Sequence, residues 1–93
     1  MPTYVYLMEN KLPLNKEIVD RHIEHLRKLD DANQLVFCGP FTDYQGGMVV
    51  LTCDTYEEAD AIAKRDPFIS EGYKYYELRT LEVADRSNDY LSD

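Results

Sequence analysis

The run Gly46-Gly47-Met48-Val49-Val50-Leu51-Thr52-Cys53-Asp54-Thr55-Tyr56-Glu57-Glu58 decides the fold. Two glycines open it and a continuous apolar stretch follows, the pattern of a strand buried on both faces. The strand is expected over residues 48–53. Asp54 or Thr55 then caps a helix, and Thr55 with Glu58 has the spacing of a capping box, in which each side chain satisfies an orphan N–H near the other. The helix should reach about Arg65, because Lys64 and Arg65 suit the negative end of its dipole. Pro67 disfavours helical geometry at the residue before it, so the helix should stop at Asp66.

Upstream, residues 35–38 form a short apolar strand ending at Gly39-Pro40, joined to the next by residues 41–45. Before it lies a helix that Asn15 can cap, with Leu14 and Val19 spaced as a hydrophobic staple. Ile18, Val19, His22, Ile23, Leu26 and Leu29 fall on one face at the helical period. Asn33 tolerates the left-handed conformation that ends helices. Residues 3–9 alternate Tyr4, Tyr6, Met8 against Val5, Leu7, which predicts the first strand, and residues 10–13 turn. Downstream, residues 68–72 read as a loop and 73–83 as a long final strand. The tail 84–93 is polar and acidic, with Tyr90 and Leu91 as its apolar contacts.

The order is β-α-β-β-α-β, a ferredoxin-like α+β arrangement with a four-stranded antiparallel sheet in a single domain over residues 1–83. Two helices cover one sheet face. The other should be polar in a monomer, yet the first and third strands are apolar on both sides. A second copy packed sheet to sheet satisfies that pattern, so a homodimer through the open face is expected.

Composition narrows the partners. The chain has 93 residues, enough for one domain, and a formal net charge of −8 from 18 acidic and 10 basic residues. Phosphate-neutralising proteins need clustered Lys and Arg, so nucleic acid is excluded as a partner, and an anionic membrane surface is disfavoured. No basic leader with an apolar stretch precedes the first strand and no apolar run approaches spanning length, which predicts a soluble, cytoplasmic protein. Closing the hairpin around Asp43 puts Cys38 opposite about position 48, away from Cys53, so two free thiols are expected.

The two histidines differ in placement. His22 lies near the centre of the apolar helical stripe, between Ile18 and Leu26, whereas His25 lies at its edge. A histidine on a buried face needs a partner for each ring nitrogen, and a carboxylate is the partner that suits acid–base work. The commoner reading of such a residue is a satisfied core histidine. Asp66, followed by Pro67-Phe68, reads equally well as a local cap. His22 and His25 are three apart, not the commoner four, and no further ligand motif accompanies them, so no metal is expected. Gly39-Pro40 and Gly46-Gly47 fit turn geometry rather than a phosphate loop, and Ser70 lacks a nucleophile-elbow context.

The assembled pieces resemble a known family. His22, Leu26, Leu29, Leu35 and Gly39-Pro40 have the spacing of the first half of the YciI-like (YCII-related) proteins. Glu57-Glu58-Ala59, Asp66-Pro67-Phe68, Gly72 and Glu77-Leu78-Arg79 resemble its second half, so the likeness covers residues 3–83. The resemblance implies a dimeric α+β barrel with a His and an Asp in the active site, which by position are His22 and Asp66. One relative resembles a dehydrochlorinase acting on a chlorinated hydroxyhydroquinone, and the wider superfamily includes muconolactone isomerases. Both imply cofactor-independent proton transfer on a small molecule, of lyase or isomerase type. The rival is a non-catalytic ligand-binding or regulatory homodimer. Tyr4, Tyr6, Gly39, Pro40, Phe68 and Tyr76 are the candidates for the pocket wall. Val19 stands where many members carry an Arg, so substrate preference here should differ, whereas Asn33, where Gly is common at the helix end, is a structurally mild change.

Overall fold

Tyr4, Tyr6 and Met8 occupy one face of the first strand, and in the computed structural model, which describes residues 1–88, the helices pack there. The elements are β1 (Thr3–Asn10), α1 (Lys16–Asp31), β2 (Leu35–Pro40), β3 (Gly46–Thr52), α2 (Tyr56–Arg65), α3 (Pro67–Ser70) and β4 (Lys74–Leu81), followed by a 3-10 turn at Arg86–Asn88. The four strands form one antiparallel sheet in the order β2-β3-β1-β4, the α+β arrangement that the sequence predicts. Tyr90 and Leu91, the apolar residues of the expected acidic tail, lie outside the described residues.

The register assigns every side chain to a face. Cys38, Val49, Tyr6 and Leu78 make one row across the helix-covered face, and Pro40, Gly47, Met8 and Tyr76 make the next. The core sits between these rows and the apolar sides of the helices, where Ile18, Leu29, Ala59, Ile62 and Phe68 are buried. Asn15 accepts the Ile18 N–H at 3.0 Å and starts α1. Asn33, at φ 59°, ends it in the left-handed region. Thr55 accepts the Glu58 N–H at 3.1 Å, while the Glu58 carboxylate reaches back to the Asp54 N–H at 3.3 Å rather than to that of Thr55.

Three local readings need correction. The loop expected over residues 68–72 begins as α3, because Pro67 fits a first helical turn and Asp66 caps it. β2 runs on to Pro40, which an edge strand tolerates since no ladder hydrogen bond is lost there. β3 starts at Gly46, where a Cβ would stand 2.1 Å from the Met8 carbonyl oxygen, so only glycine admits the close strand approach. Cys38 faces Val49, one position from the expected partner, and both thiols are free.

The open face carries the row Phe37, Val50, Val5 and Arg79 and the row Gly39, Met48, Leu7 and Glu77. Val5 and Val50 are buried, but Phe37 and Tyr75 are 58% and 54% exposed. Among the described residues, no helix is long and apolar enough to cross a membrane.

Candidate active site

Asp66 is where α2 ends and α3 begins, and its carboxyl group is completely buried. Such a group must have every lone pair addressed, since a buried charge without donors is costly. Three donors meet it. Oδ1 accepts the Phe68 N–H at 3.0 Å, and Oδ2 accepts the Tyr6 hydroxyl at 2.8 Å. The His22 Nδ1 lies between the two oxygens, 2.8 Å from one and 2.9 Å from the other. The capping reading of Asp66 and its reading as a histidine partner are therefore the same geometry. Burial, reinforced by the Asp66 charge, pushes the Tyr6 phenol far above its ordinary value, so Tyr6 stays a donor.

An ionised carboxylate only accepts hydrogen bonds, so Nδ1 of His22 carries the hydrogen, and in the neutral imidazole Nε2 is the nitrogen with the lone pair. The ring stacks on Phe68 with centroids 3.9 Å apart and planes 15° apart, which fixes its orientation. His22 borders a cavity of about 460 Å³, a volume that suits a small organic molecule. Its α1 side is Val19, His22, Ile23 and Leu26, and Leu14 flanks it; β2 and β3 give Cys38, Gly39, Pro40, Gly47 and Met48. Gly47 lets β2 and β3 approach closely at the cavity's edge, since a Cβ there would stand 2.7 Å from the Gly39 carbonyl oxygen.

Of the residues expected in the pocket, His22, Gly39, Pro40 and Phe68 border it. Tyr6 lies behind, joined through Asp66. Tyr4 and Tyr76 do not belong there. Tyr4 packs edge-on to Tyr56 beyond Tyr6 along the strand, and Tyr76 gives its hydroxyl to Asp60 on α2 at 2.7 Å. Alternation places tyrosines on a face but says nothing about which end of the sheet they serve.

Two groups escaped the sequence reading. Lys74 opens β4 opposite Asn10, is 8% exposed, borders the cavity and holds its ammonium 4.4 Å from the centre of the Phe68 ring. The missed signal was parity: Lys74 shares the core face with Tyr76 and Leu78, where a charge is out of place. Cys38 also borders the cavity, but burial pushes its thiol up, which disfavours the nucleophilic thiolate. Among the described residues no group of three or more His, Cys, Asp or Glu is placed to hold a metal ion.

His25 lies outside the cavity, with Nε2 buried and without a hydrogen-bond partner. Burial lowers its pKa below the ordinary 6.5, only partly opposed by the Asp66 charge. A lowered folded-state value means stability that is present above 6.5 and lost as pH falls through the folded value. Unfolding of wild type and His25→Gln followed between pH 7 and pH 4.5 should therefore show the wild type losing more stability on acidification. Parallel curves would refute this.

Comparison with known proteins places this chain in a family. Residues 3–82 match the model of the YCII-related domain, and the chain belongs to that family. It is 38% identical over 72 residues to the uncharacterized protein YjpA of Bacillus subtilis (strain 168), covering 77% of this chain and 85% of that protein. Its fold is similar to the solved structure of 5-chloro-2-hydroxyhydroquinone dehydrochlorinase (TftG) from Burkholderia phenoliruptrix AC1100, in complex with 2,5-dihydroxybenzoquinone. The TM-score is 0.68 at 15% identity, over 94% of this chain and 99% of that one.

Proposed function

We propose that this protein is an acid–base enzyme of lyase or isomerase type that acts on a small organic molecule, with His22 as the proton carrier and Asp66 as its orienting partner. One observation carries the reading: Asp66 occupies Nδ1 of His22 at 2.8 Å, and His22 borders a cavity of about 460 Å³. Nε2 takes a proton from an acidic C–H or O–H of the substrate, and the resulting imidazolium is stabilised by the carboxylate beside it. Returning that proton to another atom completes an isomerisation. Loss of a leaving group with its bonding electrons completes an elimination. The structural neighbour's dehydrochlorinase name supports small-molecule chemistry of the second kind.

The test is turnover of a panel of cyclic and halogenated phenols by wild type and His22→Gln. Activity confined to the wild type is expected, and equal turnover by both would exclude the role. Binding without turnover by the wild type favours the rival, a non-catalytic ligand-binding or regulatory dimer using the same cleft.

We further infer that the open sheet face packs against a second copy. Phe37 and Tyr75 are more than half exposed on a face that also carries the half-buried Leu7 and Met48. Light scattering should give twice the 10.9 kDa chain mass, and Phe37→Asp should shift it toward the monomer. A monomeric wild type would refute the inference.

A further inference from the structure

Lys74 has two features that a structural lysine lacks. It is 8% exposed, and among the described residues no carboxylate lies within ion-pair distance of its ammonium. Buried ammonium groups are ordinarily paired, because a desolvated charge without a counter-charge is costly. Here the side-chain contact is the face of Phe68 at 4.4 Å, a weak partner for a desolvated cation. Backbone register fixes the position: Lys74 pairs with Asn10, and its side chain is held on the helix-covered face.

The cavity's charge is equally one-sided. The chain carries a net charge of −8, yet among the described residues no acidic side chain borders this cavity. The carboxylate nearest the site, Asp66, is buried behind His22 and fully engaged by Tyr6, Phe68 and His22. The walls are otherwise apolar, with Met8, Leu14, Val19 and Leu26 among them. An apolar cavity with one unpaired cation is built for a ligand that brings its own negative charge. His22 and Lys74 both border the cavity, and each lies against the ring of Phe68, the imidazole at 3.9 Å and the ammonium at 4.4 Å from its centre.

We propose that Lys74 anchors an anionic oxygen, a carboxylate or phenolate, of the molecule bound in the His22 cavity, so that the substrate class is small organic anions. This rests on the cavity being the binding site, as the proposed acid–base function also requires. Lys74 fixes the anionic end and the carbon framework is presented to Nε2 of His22. The ammonium is a positioning group and moves no proton. Burial lowers its pKa, an effect only partly opposed by the Asp66 charge.

The probes are 4-hydroxybenzoate and its neutral counterpart 4-hydroxybenzamide, titrated by calorimetry into wild type, Lys74→Met and Lys74→Arg at pH 7. Wild type should prefer the acid by about tenfold or more, the scale of one charge-assisted hydrogen bond. Lys74→Met should abolish the preference while leaving the affinity for the amide within about twofold, and Lys74→Arg should restore part of it. Equal affinity of wild type for acid and amide, or an acid preference that survives Lys74→Met, overturns the proposal. So does failure of both probes to bind. The wild-type comparison requires no variant to fold. Catalysis is read separately: absent turnover with a retained acid preference removes the enzymatic reading and leaves the anchor standing.

Discussion

Asp66→Ala is expected to lower stability by about 3 kcal/mol, the low end for breaking a buried charged hydrogen-bond network by removing one partner. The substitution leaves three donors facing nothing: the Tyr6 hydroxyl, the Phe68 N–H and Nδ1 of His22. It also removes the cap of α3. Each unsatisfied buried group costs about 1–3 kcal/mol, offset in part because the desolvation cost of the carboxylate disappears too. In a domain of this size the midpoint of thermal unfolding should fall by roughly 10–20 °C. Asp66→Asn should be milder, since its carbonyl can still cap Phe68 and its amide can donate to the Tyr6 oxygen. An alanine variant within about 1 kcal/mol of wild type would refute the network.

His22→Gln is expected to leave the fold intact and lower turnover by about 10²–10⁴, the usual contribution of a positioned acid–base group. Glutamine keeps a donor for Asp66 but cannot accept and return a proton at neutral pH. The loss should fall on kcat, because the cavity walls remain to bind substrate. Asp66→Asn should reproduce much of this loss with His22 still present. An amide at that position can accept from Nδ1–H or donate to Nδ1, which releases the tautomer, and it carries no charge to stabilise the imidazolium. Turnover in either variant within a factor of about three of wild type would count against the mechanism.

Periodicity carried most of the fold. The stripe of Ile18, His22, Leu26 and Leu29 and the alternation of Tyr4, Tyr6 and Met8 are repeated signals, and the elements they predict are present. Single-turn elements leave no such trace, and α3 has room for no repeat. Of the candidate site, His22 was legible from its helical angle, and the Asp66-Pro67-Phe68 motif pointed to Asp66. That one carboxylate caps a helix, takes the tyrosine and takes the histidine was not legible, because the three donors come from β1, α1 and α3. Tyr4 and Tyr76 were misplaced for the same reason: face follows from parity, while position along the sheet follows only from register. Lys74 was passed over at a strand boundary, where parity carries least weight.

The contacts among Asp66, His22 and Phe68 close on themselves. The carboxylate holds the imidazole, the imidazole lies on the phenyl ring, and the amide of that same phenylalanine returns to the carboxylate. Three members joined end to end make a truss, and a truss has no soft mode of its own. The imidazole therefore has little room to swing when its charge changes, and a proton can arrive or leave without the surroundings rearranging. Whatever must move to admit a ligand has to be sought in the walls, at Leu14 and Ile23, and not in the frame that holds the imidazole.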